Sequence, residues 1–291
     1  LDYDDPETYQ MLSRGETEGV FQLESSGMKQ VLMGLQPQNL EDVIALISLY
    51  RPGPMDSIPT YLRNRHEPDK ISYKTPQLAH ILDVTNGCIV YQEQVMQIFR
   101  ELAGFSFGQA DNVRRAMSKK KHAVMEAERE HFVHGCTDPG NQCPGCVANG
   151  ISEKVANEIY DEMSSFASYA FNKSHAACYA YVAFQTAYLK CHYPSEFMAA
   201  LLTSVLDNTD KVIEYSGECA RLGIKVLPPD VNVSGGGFTA DANGQIRFGL
   251  NAVKNVGRNL IEQVVEKRQG KPYTSLYDFC KRMYGNELNR R

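Results

Sequence analysis

Apolar residues recur at helical spacing along the chain as far as Gly223, and this regularity restricts most of it to a mainly α-helical fold. Val95, Ile98, Phe99 and Leu102 fall at i, i+3, i+4 and i+7, a one-face helix ended by Gly104. Ala110, Val113 and Met117 continue the spacing on a second short helix that carries Arg114 and Arg115. Leu40–Leu49 is a compact apolar stretch between Gln36-Pro37 and Arg51-Pro52-Gly53-Pro54. Ser152 suits an N-cap, with Glu153 in the first turn and Val155, Ile159 and Met163 on one face. Ala176–Leu189 is apolar almost all round, which predicts a central buried helix. Pro194 suits the first position of the next helix, with Phe197, Met198, Leu201, Leu202 and Val205 inward.

The texture changes after Gly223. Ile224–Leu227 reads as a strand stopped by Pro228-Pro229, and Ser234–Gly237 is a flexible break. Phe238–Ala240 and Ile246–Phe248 flank Asn243-Gly244, a strong hairpin signal. The expected division is therefore 1–226, mainly helical with minor antiparallel β, and 227–291, a smaller module opening with the hairpin. In Leu250–Ile261 two helices joined by a tight turn at Val256-Gly257 are expected.

The chain has 291 residues, 30 bases and 35 acids, a net charge of −5 that argues against a uniform nucleic-acid coat. The charge is uneven. Residues 1–28 carry seven acids and one base, whereas 112–122 carry Arg114, Arg115, Lys119, Lys120 and Lys121 and no acid. No apolar run reaches the roughly 18 residues of a membrane span, and no export signal opens the chain, so a cytoplasmic protein with reduced thiols is expected. The first residue is Leu1 rather than Met, which suggests a piece of something longer. Asp2-Tyr3-Asp4 offers a paired-carboxylate spacing, read here as surface.

Several constellations are candidates for chemistry. Arg114-Arg115 followed by Lys119 and Lys120 is suited to gripping a triphosphate, since Arg binds phosphate oxygens bidentately and Lys adds mobile charge. A solvated basic helix end is the equally weighted alternative. Asn172-Lys173-Ser174-His175 stands at the mouth of the most apolar helix, where it either caps the helix or holds an anion or sugar hydroxyl. Tyr91-Gln92-Glu93-Gln94, after a strand-like Cys88–Val90, and Arg51-Pro52-Gly53-Pro54 carry no specific chemistry on their own. Cys136, Cys143 and Cys146 with His134 offer a tetrahedral zinc shell, against free thiols in a Pro/Gly loop. Lys254, Val256, Gly257 and Arg258 would face a DNA phosphate if the turn exposes its backbone N–H groups, or form a plain helix pair.

In this order, the segments resemble the C-family bacterial replicative DNA polymerases, the polymerase III alpha subunits. The residues carrying the resemblance are Thr17–Ser25, Arg51–Met55, Tyr91–Met96, Ala110-Asp111 with Arg114–Met117, Lys119-Lys120, Phe171–Ala176, and Tyr188–Lys190 with His192–Pro194. The resemblance implies a fingers domain followed by the start of a helix-hairpin-helix region. It implies that Arg114 and Arg115, with Lys119 and Lys120, face the triphosphate of the incoming dNTP. Asn172, Lys173, Ser174 and His175 then lie beside the nascent base pair, with His175 crowding the sugar 2′ position. The family's catalytic Asp triad and its Mg2+ ions belong to a palm upstream, so no catalytic residue is assigned here and the chain alone should not polymerise. Implied partners are primer–template DNA, the palm and thumb of the same subunit, and other replicase holoenzyme subunits including the sliding clamp; no membrane is implied. Ser118 stands where the family commonly has Gly, and the Cys136–Cys146 loop looks like an insertion on which the family is silent. Two readings from other classes stay open, a non-enzymatic DNA-binding module around Gly257 and a zinc-stabilised interaction module around the cysteines.

Overall fold

The computed structural model describes residues 1–119, 122–167 and 170–285. Lys120 and Lys121 lie outside them. The described residues form fifteen α-helices and one small sheet, grouped into two compact units. One unit comprises Leu1–Glu16 and Ser25–Phe184, the other Thr17–Glu24 and Gln185–Arg291. Among the described residues, no helix is long and apolar enough to cross a membrane.

The first unit opens with α1 (Pro6–Ser13), α2 (Ser26–Leu35) and α3 (Leu40–Leu49). Each is started by a side-chain cap: the N–H of Thr8 donates to Asp5, that of Met28 to Ser25 and that of Asp42 to Asn39. Their apolar stripes bring Leu12, Leu32, Leu35 and Leu46 into a fully buried layer. Next come α4 (Ile58–His66), α5 (Ala79–Leu82), α6 (Gln92–Ala103), α7 (Phe107–Ser118), α8 (His122–His134), α9 (Gly145–Ala148) and α10 (Glu153–Ala167). Their core centres on Phe99, whose ring lies 5.1 Å from Phe132 and 6.0 Å from Tyr160, both edge-on. The Val95–Leu102 stripe of α6 is fully buried, and Gly104 ends the helix at φ 75°. Ser152 caps α10, accepting from Val155 at 3.3 Å, and Ile159 and Met163 are buried.

α11 (Lys173–His192) corrects one expectation. Ala176, Ala180, Ala183, Phe184 and Ala187 are buried, but Tyr181, Val182 and Leu189 are more than 40% exposed, so this helix is not buried all round. The expected strand at Cys88–Val90 is also reduced; Tyr91 makes only an isolated parallel bridge to Phe171.

The second unit packs α12 (Pro194–Ser204) and α13 (Thr209–Arg221) against β1 (Val226–Leu227), β2 (Thr239–Ala240) and β3 (Ile246–Arg247). Pro194 takes the first turn of α12. β2 and β3 form the hairpin, with Ala240 opposite Ile246. Its loop is organised by Asp241, whose carboxylate accepts from the N–H groups of Asn243 (2.8 Å) and Gln245 (3.0 Å). β1 joins β3 in parallel, so the sheet is mixed rather than purely antiparallel. The helix expected from Leu250 is only a 3-10 turn, Leu250–Ala252. The turn's left-handed residue is Asn255 (φ 64°), not Gly257. α14 (Arg258–Lys267) and α15 (Leu276–Arg282) then close a small core of Leu250, Ile261, Val264, Tyr273 and Met283.

Thr17–Glu24 belongs to this unit because polar bonds fasten it there. The N–H of Phe21 donates to Thr186 at 3.1 Å, Tyr215 donates to Glu24 at 3.1 Å, and the Lys190 ammonium donates to the Glu18 carbonyl at 2.9 Å.

Candidate functional site

The start of α6 is held against the start of α11 by backbone bonds. The N–H of Gln92 donates to the Phe171 carbonyl at 2.9 Å, and that of Phe171 donates to Val90 at 3.3 Å. α7 runs beside α6, begun by a reciprocal cap in which Ser106 and Gln109 bond each other's backbone N–H groups. This arrangement lines a cleft of about 480 Å³ with residues from all three segments, among them Gln92, Glu93, Arg100, Phe107, Arg114 and Asn172.

Arg114 is a fixed side chain. Its Nε and Nη2 donate to Asp111 Oδ1 at 3.0 and 2.7 Å, and its Nη1 donates to Gln92 Oε1 at 3.0 Å. Arg115 pairs with the other oxygen of Asp111 at 2.8 Å but is 64% exposed. The Arg114 guanidinium, then that of Arg115, holds the Asp111 carboxyl below its ordinary range. Lys119 is exposed at the end of α7, and Lys120 falls outside the described residues.

At α11, Asn172 is the cap, accepting from the N–H of His175 at 2.9 Å. Its amide donates to Glu93 at 3.1 Å, and both Glu93 oxygens lie 3.1 Å from the N–H of Lys173. The positive end of this helix is thus already occupied by a carboxylate. The Lys173 ammonium pairs with Glu41 at 2.9 Å and lies over the Tyr91 ring. Ser174 and His175 are exposed. The His175 ring stands between Phe171 (5.3 Å) and Tyr179 (4.5 Å), and the Arg51 guanidinium lies 4.0 Å over the Phe171 ring.

Arg114 and Asn172 therefore meet in one cleft, while Arg115, Lys119 and Lys173 are not among its lining residues. Sequence reasoning gave no role to Asp111, Glu93, Arg100 or Glu41. Only Asp111 carried a signal, since it precedes Arg114 and Arg115 by three and four residues on one helix.

The other candidates are arranged differently. Cys136 and Cys143 face each other across a two-bond backbone bridge, and the turn is so tight that a Cβ on Gly145 would lie 2.3 Å from the Gly135 nitrogen. Cys146 is fully buried in the apolar core, and burial pushes its thiol up to about 12. His134 is drawn toward Glu130 and Glu153. Among the described residues these four do not form a converging ligand group. In the 223–291 segment, Lys254, Gly257 and Arg258 are exposed, Val256 packs on the small core, no side chain caps α14, and Arg258 pairs with Asp207 at 3.0 Å.

The family described as the bacterial DNA polymerase III alpha subunit finger domain matches residues 1–140, and a helix-hairpin-helix motif family matches residues 223–291. The chain is 50% identical to the DNA polymerase III subunit alpha of Thermus aquaticus, over 100% of the chain and 23% of that protein. It is 45% identical to that of Bacillus subtilis, over 100% of the chain and 25% of the protein. With the Escherichia coli K12 protein the identity is 44%, over 99% of the chain and 25% of the protein. The chain thus spans about a quarter of the length of these relatives. It belongs to the bacterial DNA polymerase III alpha subunit family, whose finger domain and helix-hairpin-helix motif it contains.

Proposed function

We propose that residues 1–226 are the fingers of a DNA-directed DNA polymerase, a nucleotidyltransferase, and that 227–291 are a β-hairpin with the first part of its helix-hairpin-helix region. The observation that carries this reading is the meeting of Arg114 and Asn172 in one cleft, bridged by Gln92 and Glu93. Phosphoryl transfer depends on positioning and on neutralising charge spread over phosphate oxygens. Arg114, with Arg115, Lys119 and Lys120, supplies that charge to the β- and γ-phosphates of a dNTP. Asn172, Lys173, Ser174 and His175 cover its sugar and the nascent base pair. Lys254, Arg258 and the backbone at Val256-Gly257 contact template phosphates without reading sequence. The Mg2+ ligands belong to the palm, so this chain's residues bind and orient the nucleotide while the metal-held reaction centre lies elsewhere in the subunit.

The partners that follow are primer–template DNA, the palm and thumb, and the cytoplasmic replicase assembly with its sliding clamp. For the Cys136–Cys146 loop we propose reduced thiols rather than zinc, because Cys146 is fully buried in the apolar core and the four candidate ligands do not converge.

Two outcomes test the reading. Primer extension by the 291-residue chain alone should be undetectable, whereas the complete subunit extends; extension by the chain alone would contradict the division of labour. In the complete subunit, His175→Ala should raise ribonucleotide incorporation relative to deoxyribonucleotide by about tenfold, the scale of a small steric discrimination. A ratio equal to wild type would remove His175 from the sugar contact.

A further inference from the structure

We infer that Gln92 is a positioning residue for the nucleotide reaction, its carboxamide holding Arg114 in register with the segment that opens α11. This rests on the nucleotide-binding reading of the cleft. A carboxamide carries an acceptor and a donor on one rigid plane. In Gln92 the acceptor Oε1 takes Arg114 Nη1 at 3.0 Å, while the donor Nε2 bonds the Ala170 carbonyl at 3.0 Å. The backbone N–H of the same residue bonds the Phe171 carbonyl at 2.9 Å. Gln92 thus ties α7 to Ala170 and Phe171 through two side-chain atoms and one backbone atom. The two partners also fix which way the amide points, because the reverse orientation would set NH2 against guanidinium.

The second support of Arg114 has the opposite electrical character. Asp111 holds the guanidinium with a full negative charge, which an anionic ligand must oppose. Gln92 orients the same guanidinium with a neutral oxygen, so the cation keeps its charge toward a triphosphate. Orientation of this kind matters because a misplacement of about 1 Å can cost on the order of a hundredfold in rate. Glu93, the next residue, fixes the other side of the junction through Asn172 and Lys173. The dipeptide therefore sets the phosphate-facing and sugar-facing parts of the cleft relative to one another.

The test uses the complete subunit on a primer–template, with single-nucleotide incorporation kinetics. Gln92→Met keeps the volume and removes both side-chain bonds. It should raise the KM for dNTP about tenfold, as expected for a lost hydrogen bond to a charged group, with kcat changed less than about threefold. In an Arg114→Ala background the same substitution should change KM by less than about twofold, because its partner is gone. If Arg114→Ala raises KM and Gln92→Met does not, the Gln92 role is overturned while the cleft reading stands. If Gln92→Met imposes its full factor in both backgrounds, it acts on the fold in general and the positioning role is likewise overturned. An Arg114→Ala enzyme with unchanged KM and kcat would remove the cleft reading itself, and this inference with it.

Discussion

Lys190→Ala is expected to destabilise the unit formed by Thr17–Glu24 and Gln185–Arg291 by about 3 kcal/mol, at the lower end of what breaking a buried ion pair costs. The Lys190 side chain is 1% exposed. Its ammonium donates to Glu218 Oε1 at 2.7 Å and to the Glu18 carbonyl at 2.9 Å. Glu218, 4% exposed, also takes two 2.7 Å bonds from Arg221, which would keep it partly compensated without Lys190. Burial pulls the Lys190 ammonium below its ordinary value, and the bonds to Glu218 oppose this. For Glu218 burial pushes upward, but the bonds from Arg221 and Lys190 prevail and hold the carboxyl below its ordinary 4.5. A depressed carboxyl stabilises the fold above its ordinary value and loses that contribution as pH falls through the folded value. Stability of this unit should therefore decline on acidification below about 4.5, and less steeply in Glu218→Gln. Urea titration of the 291-residue chain measures the Lys190 effect, with a fall of roughly 10 °C in Tm as its thermal counterpart. A loss under about 0.5 kcal/mol, the range of ordinary surface substitutions, would show that the network carries little.

How far the sequence was legible depended on the range of the interaction. α6 and its end at Gly104 were readable because periodicity and a left-handed terminator are local. The hairpin was readable for the same reason, although its loop is ordered by Asp241 as much as by Asn243-Gly244. α11 was misread because apolar residues occupy both faces, so composition cannot tell the buried alanine face from the one that exposes Tyr181, Val182 and Leu189. The attachment of Thr17–Glu24 to the second unit was invisible, since the Lys190–Glu18 bond spans 172 residues. At the site, the pairing of Arg114 with Asp111 follows from helical spacing. The contact of Arg114 with Gln92, 22 residues away, depends on how two helices pack. For the cysteines, spacing suggested a ligand shell, but burial of Cys146 in the core decides where its sulfur goes.

Arg114→Ala in the complete subunit is expected to lower kcat/KM for dNTP by about 10²–10³-fold, the scale for removing one preorganised donor from a developing charge. Arg114 earns this expectation by geometry. It is 20% exposed, fixed on two sides by Asp111 and Gln92, and lines the cleft that Asn172 also lines. Arg115 is 64% exposed and pairs with the far oxygen of Asp111, so Arg115→Ala should cost about tenfold or less, in keeping with a solvated charge. Arg114→Lys should recover only part of the loss, because a point charge cannot reproduce the planar fork. The measurement that decides the matter is nucleotide incorporation by the Arg114→Ala subunit on a saturating primer–template, with dNTP varied. The account predicts a raised KM and a reduced kcat at unchanged affinity for DNA. Wild-type values for both would contradict it.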